Sequence, residues 1–253
     1  MAFGPKIEEQ LAEATGIGLE RRLMGLLSAV DGLRGEFAAR RDDYVEAQLD
    51  ALADAPVQPL RLHIGCGPGH LPGWINIDIH PAPVAMNVLW GLPFADRSVR
   101  TIFVSHLLEH LYYPVDARAF LIELRRVLHP EGVVRIIVPD VAQCIEAYTN
   151  NDQSFFGSRR ETWDWWPENP TRLEDFLSYA GAGTDPGYLF ESHKFGYDFE
   201  TLQRLLQDAG FARVERSEFM QSRHLELRVD EISSVAKARY GDRYYSLFVE
   251  AQV

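Results

Sequence analysis

Two groups of residues in this chain have the types and spacing to do chemistry. The first is Leu60-Arg-Leu-His-Ile-Gly-Cys-Gly-Pro-Gly-His70, a β-rich run ending in a glycine turn, followed by Trp74-Ile-Asn-Ile-Asp-Ile79. Glycines at 65, 67 and 69 let a ligand approach the backbone closely. Asp78, ending the second run, can accept bonds from ribose hydroxyls. The ordered set predicts a nucleoside cofactor across the carboxyl ends of the first strands of an open α/β sheet. The second group is His106, Glu109 and His110, whose spacing puts all of them on one face if the segment is helical. A histidine there can act as general base toward an acceptor hydroxyl while Glu109 orients the ring, so His110, His106 and Glu109 are the candidate catalytic residues. Glu109, His110 and the distant His193 can instead gather a divalent ion. The base is the favoured reading and the metal is not. His-x-x-Glu-His also fits an inverted zinc-peptidase signature, rejected here because it follows a strand of the nucleoside-binding pattern.

These residues need a scaffold, and the hydrophobic pattern supplies one. From Ile7 to about Ala53 the periodicity is helical, with Leu19, Leu23, Leu26, Leu27, Val30, Leu33 and Phe37 on one stripe. Gly16, Gly18, Gly25 and Gly32 predict two or more helices rather than one rod. Residues 1–55 therefore read as a helical extension that packs on the main domain, covers its cleft or pairs with a second copy in a homo-oligomer. Pro56 and Pro59 end it. Strands are expected at 60–64, 74–79, 84–89, 100–105 and 133–138, with a helix at 114–128. A later helix runs from its N-cap Asp198 to Gly210, before strands at 211–216 and 244–251. This alternation predicts a doubly wound, Rossmann-like α/β domain over 56–253, mostly parallel with an antiparallel final strand. The interval from Gly65 to Trp74 is too short for a crossover helix. Residues 141–196 form a lid-like insertion whose Trp163, Trp165 and Trp166 are candidates, with His193, to meet an acceptor. Arg159, Arg160 and Arg172 read as a solvated basic face.

Bulk properties narrow the partners. A net charge of −12 over 253 residues disfavours a nonspecific nucleic-acid or anionic-membrane surface. Cys66 and Cys144 form no CxxC pair, which argues against a cysteine zinc site or disulfide framework. No apolar run reaches membrane-spanning length and the N-terminus lacks a signal-peptide pattern. The expectation is a soluble, cytoplasmic protein acting on a small-molecule acceptor.

In order along the chain, these pieces resemble a class I S-adenosylmethionine-dependent methyltransferase of the type 11 kind. His63-Ile-Gly-Cys-Gly-Pro-Gly69 resembles its cofactor loop, and Pro72-Gly-Trp-Ile-Asn-Ile-Asp78 its ribose-binding strand end. Leu92-Pro-Phe-Ala-Asp-Arg-Ser98, Ser105-His-Leu-Leu-Glu-His-Leu111, Leu124–Gly132 and Leu205–Phe211 are similar to later signatures. The short Pro-Gly-Trp second strand resembles a subgroup linked to glycan or secondary metabolism. The resemblance implies S-adenosyl-L-methionine as cofactor, held by His63, Gly65, Cys66, Gly67, Asp78 and His106, with Trp90, Leu92 and Phe94 around the adenine. Asn87 stands where many members carry an acid near that ring. The implied activity is O-methylation of a sugar-containing or secondary metabolite. The alternatives are a metal-assisted O-methyltransferase and a cofactor-binding protein that transfers no methyl, such as a cyclisation catalyst, scaffold or regulator.

Overall fold

The structure, a computed structural model, describes residues 19–51, 58–79, 81–160, 168–180 and 192–253. The chain divides into two compact units, Met1–Asp50 and Ala51–Val253. In the first, α1 (Leu19–Asp50) is a single continuous helix. The break expected at Gly25 and Gly32 does not occur. A Cβ at either position would meet nothing within 4 Å, so neither glycine makes a turn or a close approach. Each costs only ~1 kcal/mol relative to alanine, too little to end so long a helix. Gly16 and Gly18 lie outside the described residues. No helix among the described residues is long and apolar enough to cross a membrane.

The second unit is built on a seven-stranded sheet of order β3-β2-β1-β4-β5-β9-β6. Its first half comprises β1 (Leu60–Ile64), β2 (Ile75–Asp78), β3 (Val84–Ala85), β4 (Val99–Ser105) and β5 (Leu128–Pro139), all parallel. Helix α2 (Val115–Val127) crosses from β4 to β5 and buries Phe120, Leu121 and Leu124. Later come α3 (Val141–Thr149), α4 (Gln153–Arg160), α5 (Arg172–Tyr179) and α6 (Phe199–Asp208). The chain then adds β6 (Arg213–Ser217), the small hairpin β7 (Arg239–Tyr240) and β8 (Arg243–Tyr244), and β9 (Ser246–Gln252). Strand β9 runs antiparallel between β5 and β6, as expected of the final strand. The side chain of Asp198 accepts from Thr201 N–H and caps α6, and Gly210 past its end takes φ +96°.

The helix-free link between β1 and β2 is held by one side chain. Asn76 on β2 accepts from Leu71 N–H at 2.8 Å and donates to the carbonyls of Leu71 and Trp74, both at 3.1 Å. A buried carboxamide thus supplies the turn with hydrogen bonds that a crossover helix would have satisfied internally. The expected strand at 84–89 is shorter: β3 ends at Ala85 and a 3₁₀ turn covers Val88–Trp90. Three helices, α3 to α5, make up most of the described part of 141–196. Its Cys144, Ala147, Phe155, Phe156 and Tyr179 form a small core with Tyr245. Arg159 does not lie on a solvated face: it is buried, its guanidinium 4.4 Å from the Tyr245 ring centroid. Arg172 is exposed and stacks over Tyr148, whereas Trp163, Trp165 and Trp166 lie outside the described residues.

At the back of the sheet Arg135 of β5 is fully buried and bidentate to Asp230, with both contacts at 2.7 Å. It also donates to Glu250 at 2.7 Å and to the carbonyl of Glu218 at 2.7 Å. Arg135→Ala leaves the Asp230 carboxylate buried without its cation and should lower stability by ~3–5 kcal/mol in urea unfolding. A loss below ~1 kcal/mol, the scale of an exposed pair, would contradict this account.

Candidate active site

The chain leaves β1 toward β2 and β3 on one side, then returns to β4 on the other, and the carboxyl ends of β1 and β4 part at that reversal. A cleft of about 820 Å³ opens there. Its floor is the Gly65–Gly69 loop, flanked by Asp78 and Ile79 after β2 and Ser105 to Leu107 after β4. Gly65 has φ +75°, and a Cβ there would stand 3.0 Å from the Leu107 Cβ, so conformation and space both require glycine. Gly67, at φ +50°, faces open space, the room a ligand needs to reach the backbone. A Cβ on Gly69 would come within 2.9 Å of Ile232, which lets residues 232–235 fold over the loop as the opposite wall. Asp78 accepts from Gly67 N–H at 2.7 Å and lines the cleft. One carboxylate therefore braces the glycine loop and borders the cleft at the end of β2.

Of the residues expected around a cofactor, His63, Gly65, Cys66, Gly67, Asp78 and His106 line this cleft. Trp90, Leu92 and Phe94 do not line it. After the 3₁₀ turn Gly91 takes φ +88°, and the chain is pulled onto α2. Leu92 N–H donates to Glu123 at 3.0 Å, and Arg126 donates to the carbonyls of Leu92 and Phe94 at 2.7 and 2.9 Å. Leu92 and Phe94 are consequently buried there, and Met86, Asn87, Val88 and Leu89 form the wall instead. The Asn87 side-chain oxygen accepts from Leu89 N–H at 2.9 Å, capping the turn.

Sequence reasoning missed the cleft residue Ser105, whose buried hydroxyl has no hydrogen-bond partner, although it opens the motif containing His106. It also missed Ile232 to Val235, which carry no motif and reach the site only through the tertiary fold. The Cys66 thiol is pushed up to about 12 by burial and then by the Asp78 charge, so it is a packing group and not a nucleophile.

His63 is buried at the end of β1, its Nδ1 3.1 Å from the Asn76 side-chain oxygen and its ring against Phe103. That oxygen can only accept, so Nδ1 carries the proton. Burial lowers the His63 pKa to about 4, against the opposing hydrogen bond to Asn76, and the ring is neutral at pH 7.

The His-Glu-His group is not arranged as a helical face. His106 takes φ +51° as β4 ends, and only Leu108–His110 form a 3₁₀ turn. The His106 ring turns back toward the sheet. Its Nδ1 lies 3.0 Å from Glu109 Oε1 and its Nε2 3.0 Å from the Ser246 hydroxyl. Both ring nitrogens are therefore engaged, and Glu109 orients His106 rather than His110. His110 lines the cleft, and its ring meets His193 edge-on at 4.9 Å between centroids. Glu109 is 1% exposed and sits behind that wall. Burial would raise its carboxyl, but the His106 hydrogen bond and the neighbouring imidazoles outweigh it and hold the pKa at about 2.

Segment 192–197 brings His193 to this place. Lys194 N–H donates to the Glu109 carbonyl at 2.7 Å, and Phe195 stacks on Tyr113 at 3.9 Å. His193 Nδ1 is 2.9 Å from the Ala180 carbonyl, which makes Nδ1 the donor and leaves Nε2 with its lone pair. Its pKa is lowered by burial. Ligand atoms of Glu109, His110 and His193 all lie within 4.8 Å of one another.

Sheet order, cleft and glycine loop define a nucleoside-binding Rossmann-like domain. Residues 62–136 match the family described as Methyltransferase domain. That match spans the glycine loop, β2, β4 and most of β5, and the open backbone at Gly67 beside the Asp78 carboxylate fits the S-adenosylmethionine such a domain uses.

Among solved structures, the chain is similar to a SAM-dependent methyltransferase from Archaeoglobus fulgidus, at 17% identity over 84% of this chain and 94% of that one, with a TM-score of 0.45. It is similar to a possible histamine N-methyltransferase from Thermotoga maritima, at 16% identity over 88% and 95% of the two chains, with a TM-score of 0.38. The S-adenosylmethionine complex of phosphoethanolamine N-methyltransferase 2 from Haemonchus contortus gives 12% identity over 83% of this chain and 52% of that one, with a TM-score of 0.41. No curated protein matches the sequence.

The buried neutral His63 sets a pH dependence. An unfolded histidine titrates near 6.5 and the folded one near 4, so between those values only the unfolded chain takes up this proton. Its contribution is fully present above pH 6.5 and is lost as pH falls toward 4, by ~3 kcal/mol in all. Urea unfolding of wild type and His63→Gln at pH 7, 5.5 and 4.5 checks this. The variant should lose less stability across the window, and parallel curves would remove His63 as the cause.

Proposed function

We propose that this protein methylates an oxygen of a small hydroxylated molecule, a sugar-containing or secondary metabolite, with S-adenosylmethionine as donor. One observation carries the reading. A single cleft joins a nucleoside-binding end at Gly67, Asp78 and Met86 to a polar end at His110, Asp116 and Lys194. When bound, the cofactor supplies an electrophilic methyl: the oxygen–carbon bond forms as the carbon–sulfur bond breaks, the electron pair stays on sulfur and the acceptor proton leaves.

The chain's own residues then bind, align and manage that proton. In this reading Asp78 accepts the ribose hydroxyls, while Met86, Val88 and Leu89 give the adenine an apolar wall. Lys194 and Asp116, at the polar end of the cleft, orient the acceptor. His110, the cluster histidine whose ring lines the cleft and is not held by Glu109, meets the acceptor hydroxyl. His106 acts on Glu109, because neither of its nitrogens is available to an acceptor. The chemistry belongs to residues 56–253. Free, buried Cys66 and Cys144 suit a cytoplasmic enzyme.

Calorimetry with S-adenosylhomocysteine tests the cofactor end. Two charge-assisted bonds to a ribose make Asp78→Ala ~10- to 100-fold weaker in binding. Unchanged affinity would remove Asp78 from the role. Methyl-labelled S-adenosylmethionine offered with a panel of phenols, sugars and hydroxylated metabolites tests the rest. Label recovered in a methoxy group is the expected result. Label on nitrogen or carbon, or cofactor binding with no transfer to any of the panel, would overturn O-methylation.

A further inference from the structure

We propose that Glu109, His110 and His193 form a binding site for a divalent transition-metal cation at the acceptor end of the cleft. Three features point there. First, Glu109 is 1% exposed, yet its Oε2 has no hydrogen-bond partner, while His106 occupies Oε1. A carboxylate oxygen withdrawn from water and left unmatched is costly, and proteins keep such groups where a ligand satisfies them. Second, His110 Nδ1 is also buried without a partner. Third, the Ala180 carbonyl fixes the His193 tautomer with Nε2 as the lone-pair nitrogen, the arrangement that ligating histidines use.

Ligand atoms of these residues lie within 4.8 Å of one another. Ligands ~2.1 Å from a tetrahedral cation stand ~3.4 Å apart, so side-chain adjustments of about an ångström close the set. Two imidazoles and one carboxylate suit zinc, cobalt, iron or manganese. Magnesium and calcium prefer oxygen ligands. Among the described residues the cluster offers three ligands, so a fourth position is left for water or an acceptor oxygen, as in catalytic metal centres.

The backbone makes the set rigid. The Glu109 carbonyl accepts from Lys194 N–H, so the two segments that carry the ligands are joined beside the cluster. Because His110 also lines the cleft, a cation here would stand at its wall and, with His110 its ligand in place of the acceptor's base, would lower the proton affinity of an acceptor oxygen reaching it. That role rests on the methyl-transfer reading above; the binding site itself does not.

The test is titration of chelator-dialysed protein with Co²⁺, followed by its visible absorption, and then displacement with Zn²⁺. The expected result is one equivalent of Co²⁺ per chain, displaced by Zn²⁺ and not by Mg²⁺ or Ca²⁺. Loss of an outer partner of a metal ligand already weakens binding ~10- to 100-fold, so Glu109→Gln and His193→Asn should each weaken it at least ~100-fold. Retained S-adenosylhomocysteine binding by calorimetry shows that the variants are folded. Wild-type protein that takes up neither metal, or folded variants that bind as wild type does, would overturn the site. Should wild type bind Co²⁺ but not S-adenosylhomocysteine, the cation site stands and the methyl-donor reading falls.

Discussion

One buried guanidinium connects the back of the sheet to the mouth of the cleft. Arg135 projects from β5 into a site with no solvent exposure, where Asp230 takes it in a two-pronged contact and Glu250 closes the remaining side. Asp230 opens the short 3₁₀ turn that ends at Ile232, and Ile232 to Val235 form the wall opposite the glycine loop. The position of that wall thus depends on a charge pair seated behind the strands. Hydrophobic packing alone sets segment positions loosely. A bidentate ion pair admits one orientation, and its desolvation penalty means that it contributes more to geometry than to net stability.

The same economy appears at the front of the sheet. Asp78 holds Gly67 N–H and borders the cleft, so the loop and the acidic group beside it are a single hydrogen-bonded unit. Asn76, two positions earlier, ties down the helix-free link between β1 and β2 and meets His63 across the strands. Asn76 and Asp78, alternate residues of β2, therefore do different work, and both are polar. The pleat makes this workable. Ile75 and Ile77 fill the core while Asn76 and Asp78 serve the link and the loop.

Most of the fold was legible because it rests on local signals. Alternating apolar runs marked β1, β4 and β5, the Asp198 cap marked α6, and the glycine spacing marked the loop. Failures came where tertiary contacts override local pattern. Val88 and Leu89 have strand-like side chains, but a capping Asn87 and the pull of Arg126 on the following carbonyls turn the chain away. Gly25 and Gly32 resemble helix breaks, yet nothing competes with the helix there. The helical spacing of His106, Glu109 and His110 was real in sequence and misleading in space, because His106 leaves β4 in a left-handed conformation. Arg135 and Asp230 gave no signal, since burial and pairing across distant segments cannot be read from neighbours. Their roles exist only once the strands are side by side.

The chain from the start of α3 to just before α6 leaves and rejoins the sheet at almost one point. Asp140 and Tyr197 form a parallel bridge, and Val141 N–H donates to the Tyr197 carbonyl at 3.0 Å. A detour clamped at its neck can change in length and composition while the strands beneath keep their register, because the entropy of closing it grows only slowly with size. His193 rides on the return limb, just inside the neck. Variation in the detour would therefore leave the imidazole it delivers beside Glu109 anchored. The clamp separates the anchored return limb from the length of chain before it.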